Sequence, residues 1–497
     1  PPPREKLAQE RNYCTYLMKT KSNIIRLVAA AAVLSPFALT AETLTYTNVP
    51  NGSFYDSQYW TNAAGENVLP DVSSDIVFAG LQSNGGWTIS AKTTDVTVNS
   101  ITDTVTVDPD NPQWGQSLSI DLGEKTFTVV GDVNVNSNHR NTQFAFVGTG
   151  SLVIGGNLNI APKKLSGESQ SMFGSGSMLK SMSVGGNFNI GGDDGSLDVR
   201  LFAENVSLKG KLNYMSNRET KLYLSGSDSA GVAGGNIKIT LGGLNDSFLR
   251  DRNLLVARNY KKFSDSSITL TFTNSDTSKF KGKIAAGGNG TIENSTFNIV
   301  MDKSATGTQY FEDTGVDYAI KNVTVNGGTL KFFSTVGNSA FALNGGTLSA
   351  ATTASEVAAL KGESLAWSGG TLAFDVAKDG EALVSDTINL SGALSKAATE
   401  GADASRNITI AVSSDIAGWL GSQTGQETTL TLANYGSTDL TASDITVKSL
   451  IDGVKIKSFE VGAGSITVTL AAVPEPATIA ALLGLAALGL AIARRRR

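Results

Sequence analysis

Sulfur and imidazole are almost missing from this chain, which has one cysteine, Cys14, and one histidine, His139. A lone thiol excludes a disulfide framework, and one imidazole without a cysteine partner cannot build a tetrahedral zinc site. A nucleophilic triad would have to be centred on His139, in the turn-like "NSNHRN", and no GxxxxGK[ST] phosphate loop is present. Charge is also sparse, at 17% of residues, and both ends are basic. Removing the +4 of residues 1–41 and the +3 of the last residues from the formal −5 leaves −12 on residues 42–473. An acidic body without Lys/Arg clusters excludes nucleic acid as a partner. No catalytic residue, metal site or cofactor is expected.

What the chain does contain is glycine, 53 residues of it, among abundant Ser, Thr and Asn. That mixture suits many short strands with tight corners rather than long helices. The strings "VVGDVNV" (129–135), "VIGGNLNI" (153–160), "SVGGNFNI" (183–190) and "GGNIKI" (234–239) share a strand, a glycine corner and a second strand. Their glycines Gly131, Gly155, Gly185 and Gly234 are offset by 24, 30 and 49, and "LKGKLNY" at Gly210 divides the last interval into 25 and 24. A second form recurs as "VNGGTLKF" (325–332), "LNGGTLSA" (343–350) and "WSGGTLAF" (367–374). Stacked circuits give such spacing, each burying alternate apolar residues in a shared core. Leu158, Ile160, Phe188, Ile190, Leu330 and Phe332 are the expected inward residues, with Asn189 and Lys331 facing out and the Asn-rich corners serving as left-handed turns.

The fold class is therefore all-β. We expect a right-handed parallel β-helix, or solenoid, over residues 126–375, preceded by an N-terminal β region at 42–125 and closed by a C-terminal β cap at 376–472. A stacked β-sandwich array shares the same patterns. "TTASEVAALKG" (352–362) is the one short helix expected in the body. The repeats resemble autotransporter-associated β-strand repeats, and the segment 43–80 resembles the N-terminus of autotransporter-like β-helix proteins. A true autotransporter would need a C-terminal barrel of amphipathic strands, and this chain ends otherwise.

Both ends read as targeting segments. From Met18, "MKTKSNIIRLVAAAAVLSPFALTAE" has a basic start, an apolar stretch and small residues near Ala41, the layout of a signal peptide over 18–41 with cleavage after Ala41. Residues 1–17, without an initiating Met, read as a mis-assigned start or a non-native extension. At the other end, "VPEPATIAALLGLAALGLAIARRRR" (473–497) joins Pro474, Glu475 and Pro476 to an apolar run and then to Arg494, Arg495, Arg496 and Arg497. Residues 477–493 would make roughly 25 Å of helix, near the thickness of a bilayer core. A transmembrane helix with the arginines inside and the body outside agrees with the signal peptide. The two prolines hold the approach extended, and Pro476 suits the first helical position.

Pro-Glu-Pro, apolar helix and Arg-rich end together resemble the PEP-CTERM sorting signal of exported Gram-negative proteins. That resemblance implies recognition of Pro474, Glu475 and Pro476 by an exosortase in the inner membrane, after export through the Sec machinery. It implies a destination at the cell surface or extracellular matrix, beside exopolysaccharide. The expected function is a non-enzymatic structural protein of that layer. A carbohydrate-binding adhesin would need an outer row of aromatics, and a polysaccharide-degrading β-helix enzyme would need paired acids. Asp193 with Asp194 and Asp108 with Asp110 are such pairs, but each sits beside Gly or Pro as solvated turn residues do.

Overall fold

The computed structural model describes residues 41–495 except 48, 83–85, 108–116, 138–142, 163–168, 174–177, 192–196, 216–219, 225–235, 247–252, 258–266, 287–295, 313–319, 334–338, 351–356, 381, 399–404, 413–415, 417–418, 420–426, 451–453 and 473–475. One compact unit begins at Thr43 and another comprises Pro1–Glu42. Cys14 and His139 lie outside the described residues, as do Asp108, Asp110, Asp193 and Asp194.

The described chain is mostly β-strand, and its strands pair chiefly in parallel. Thr126–Val129 enters a thirteen-stranded sheet, Val133–Val135 a nine-stranded sheet, and Gln143–Val147 a second nine-stranded sheet. Ser151–Ile154, Leu158–Ile160 and Ser169–Phe173 then visit the same three sheets in the same order. Each strand thus hydrogen-bonds to its counterpart one circuit earlier and one later. The thirteen-stranded ladder runs through residues 125 and 375 without a break, from Val96–Val98 to Ser437–Thr438.

Alternation explains why these sequences stack. In the thirteen-stranded sheet one inward column reads Val98, Val129, Ile154, Val184, Leu208, Leu241, Phe272, Met301, Val325, Leu343 and Trp367, partner by partner. All of them are buried. A file of rings, Trp60, Phe54, Phe127, Phe146, Phe173 and Phe188, runs along the same interior with centroids 4.8 to 6.1 Å apart. Leu158, Ile160, Phe188, Ile190, Leu330 and Phe332 are fully buried as expected, and Asn189 and Lys331 lie on the outside.

The repeats need glycine for two different reasons. At Gly155 and Gly185 a Cβ would sit 2.1 Å from the carbonyl oxygen of Val130 and of Gly155 respectively, so the circuits touch through backbone alone. At Gly328, Gly346 and Gly370 φ is also positive, at 57°, 61° and 87°, where a side chain is strained as well. The pairing also corrects the repeat reading. Gly131 bonds to Gly156, then Gly186, Gly210 and Gly242 follow in turn. "GGNIKI" is therefore not the fourth corner: its strand, Asn236–Leu241, belongs to the thirteen-stranded sheet, and Gly242 supplies the corner. In the second form Thr308 precedes Thr329, Thr347 and Thr371 in one register, so the single Gly307 marks a member with no Gly-Gly signature.

Two other expectations change. The helix over 352–362 is replaced, where described, by the strand Ala359–Gly362, which pairs in parallel with Thr387–Leu390. Leu360 is buried and Gly362 abuts Phe341, so sheet pairing overrides local helix propensity. The asparagines in the middle of the strands form ladders: Asn159 Nδ2 donates to Asn134 Oδ1 (2.8 Å), Asn189 to Asn159 (2.7 Å) and Asn213 to Asn189 (2.8 Å). Finally, among the described residues no helix is long and apolar enough to cross a membrane. A helix does run over Pro476–Arg495, but the transmembrane expectation is not supported among the described residues.

At the C-terminal end the parallel pattern stops. Glu427–Asn434, Ser465–Ala472 and Val454–Val461 pair antiparallel, and this meander ends the five-stranded sheet.

Candidate sorting tail and the buried carboxylates

Ser465–Ala472 is the middle strand of that meander, held by Glu427–Asn434 on one side and Val454–Val461 on the other. Ile466, Val468 and Leu470 point into the core, so the strand is fixed by two ladders and by its apolar face. Ala471 lies opposite both Glu427 and Lys455, and an ion pair joins Lys457 to Glu427 beside the exit. Only residues 473–475 separate this strand from the terminal helix. The tail therefore follows on a strand that is held from both sides.

Pro474 and Glu475 lie outside the described residues, and Pro476 is the first residue of the helix, where its missing N–H costs nothing. Arg494 and Arg495 occupy the last helical turn, where cations meet the negative end of the helix dipole, while Arg496 and Arg497 lie outside the described residues. Leu483, Leu485, Leu488, Leu490 and Ile492 are all more than half exposed. Ala41, the expected cleavage position, directly precedes the first strand, Glu42–Tyr46, and is half-buried.

The titratable groups with unusual chemistry are elsewhere, inside the fold. Asp103 occupies an inward position between Phe78 and Val135 and has no exposed surface. Burial pushes its carboxyl up to about 7, against the Val105 N–H that donates to Oδ1 (3.1 Å) and a bond with the Ser137 side chain. Asp386 is equally buried and is also pushed up to about 7, chiefly by desolvation. Its two oxygens accept the N–H groups of Ala358 (2.8 Å) and Asp375 (2.9 Å), which stitch three chain segments together. Burial also raises the neighbouring Asp375, opposed by the positive charge of Lys331.

Sequence reasoning missed these acids because it looked for carboxylates in glycine-rich turns. The available signal was parity: in "SITD" (100–103) Asp103 falls in phase with Ile101, at a position the alternation assigns to the core. Another missed residue is Gln309, fully buried at the seam where the asparagine-lined sheet gives way to an eight-stranded one. Its amide accepts from the Leu244 N–H and donates to the Leu244 carbonyl, both at 3.0 Å, standing in for a missing strand partner.

Among known proteins, no curated protein and no solved structure matches this chain. The autotransporter-like resemblance of the body thus has no family match behind it. The tail does have one, and it begins at the last residue of the meander strand and takes in Pro474, Glu475 and Pro476, the helix and the arginines. Residues 472–497 match the PEP-CTERM protein-sorting motif, so this chain carries that sorting signal at its C-terminus.

Proposed function

We propose that this is an exported structural protein of a Gram-negative cell surface or extracellular matrix, sorted through its C-terminal motif by an exosortase-type enzyme. The match at residues 472–497 carries the reading. The position of the motif supports it, because Pro474 to Pro476 follow directly on the last strand of the meander and lead into the helix. Exposed leucines on the helix offer an apolar surface to the membrane enzyme, and Arg494 to Arg497 orient the tail toward the cytoplasmic side.

The body in this proposal is an elongated right-handed parallel β-helix. Three sheets visited cyclically with parallel pairing support the solenoid, and the strong right-handed bias of parallel crossovers supports the hand. The rings that stack in the structure do so in the interior, which favours a scaffold over an adhesin with an aromatic outer row. A scaffold needs length, stiffness and a polar coat, and stacked circuits clad in Asn, Ser and Thr supply all three.

Deletion of residues 473–497 tests the sorting claim. Cell fractionation should find the truncated body released into the medium while the full chain is retained and processed. Unchanged location and processing would overturn it.

A further inference from the structure

We propose that Lys331 and Asp375 form an intramolecular amide cross-link between two circuits of the body, with Asp386 handling the proton. Lys331 stands on the outer face of the strand Thr329–Phe332. The register sets Ser349 opposite it and Ala373 opposite Ser349, and Asp375 lies two residues further on the same outer face. With only small side chains between them, the lysine stem crosses the intervening Thr347–Ser349 strand, and its Nζ reaches 3.8 Å from Asp375 Oδ2. Ser349 beneath is buried, and so is Asp375, whose Oδ2 has no hydrogen-bond partner.

As a plain ion pair this arrangement is poor. The separation is too long for a hydrogen bond, and two charges taken from water without one lose more in desolvation than they recover. As a set of reactants it is well arranged. The amine and carboxyl are held together where water is scarce, which favours condensation over hydrolysis and replaces a bimolecular encounter by a fixed contact. Asp386 is locked against Asp375 by reciprocal bonds: the Asp375 N–H donates to Asp386 Oδ2 and the Asp386 N–H donates to the Asp375 carbonyl, both at 2.9 Å. Desolvation favours the neutral form of both acids, the form in which one is an electrophile and the other a proton donor.

The step balances without any co-reactant. Lys331 passes one proton to the Asp375 carboxylate, and its nitrogen lone pair then attacks Asp375 Cγ to form a C–N bond. Asp386 protonates the departing oxygen as the C–O bond breaks, and it recovers a proton from the amine. One water leaves. The product is a neutral amide joining the strands on either side of Thr347–Ser349.

Intact-mass and peptide analysis of the purified full chain tests this. The wild type should be lighter by one water than the identically processed Lys331→Arg protein after allowing for the substitution. Digestion should yield a branched peptide joining Lys331 to Asp375. Asp375→Asn should lose ammonia in place of water and give the same branched peptide. Asp386→Asn, folded by circular dichroism, should keep its full mass. A wild type with unmodified Lys331 and Asp375 peptides overturns the proposal, and cross-linking at wild-type extent in Asp386→Asn removes Asp386 from the step.

Discussion

Replacing Asp103 by Asn should make the protein lose less stability as pH rises from 4 to 8. Asp103 is a buried carboxyl whose folded value is raised from 3.8 to about 7. Below the unfolded value it is protonated in both states, and its contribution is fully present. As pH rises toward 7 the unfolded state releases its proton while the folded state keeps it, so stability falls. A difference of about 3 units at 1.36 kcal/mol each is about 4 kcal/mol, complete near pH 7. Asn keeps the size and the oxygen that accepts from Val105 but cannot ionise. Hydrogen exchange resolved to residues 96–107 is the suitable assay, since stacked circuits need not unfold together. Comparing the wild type with the Asp103→Asn protein at each pH cancels the intrinsic rate and the similar slope due to Asp386. Relative to wild type, Asp103→Asn should gain about 4 kcal/mol between pH 4 and 8. A difference flat in pH within about 1 kcal/mol would refute the reasoning.

Glycine substitutions should separate close approach from backbone conformation. Gly185→Ala places a Cβ 2.1 Å from the Gly155 carbonyl, and calorimetry should show a loss of several kcal/mol. Gly380→Ala meets open space at φ 59° and should cost only about 1 kcal/mol. Asn159→Ala breaks a ladder on both sides, removing the bonds to Asn134 and from Asn189, and should lower stability by about 1 to 3 kcal/mol in denaturant melts. Gln309→Leu leaves the N–H and C=O of Leu244 without their side-chain partners, and a loss of about 2 to 5 kcal/mol is expected, with faster exchange of the Leu244 amide.

Much of the body is legible in the sequence because a two-residue alternation is a local property. Leu158 with Ile160 and Leu330 with Phe332 declare an inward face whatever they stack against, and all are buried. What the alternation leaves open is register. Counting matches Gly131 to Gly155, but its hydrogen bond goes to Gly156, and the strand after Gly234 joins a different sheet. A circuit can gain or lose residues in a loop without changing its strands, as the ladder intervals of 25, 30 and 24 demonstrate. The expected helix gives way at Ala359–Gly362 for the related reason that propensity is outweighed by pairing with Thr387–Leu390.

The sequence by itself determined the sorting address, because Pro474 to Arg497 is recognised through local composition and order, with no partner from the rest of the chain. It also determined the apolar columns, which follow from period two. Only the tertiary structure decided which circuits meet, that strand asparagines form ladders, and that Lys331, Asp375 and Asp386 lie together. Those are contacts between segments distant in the chain, and stacking brings them together through backbone pairing that carries no residue signature.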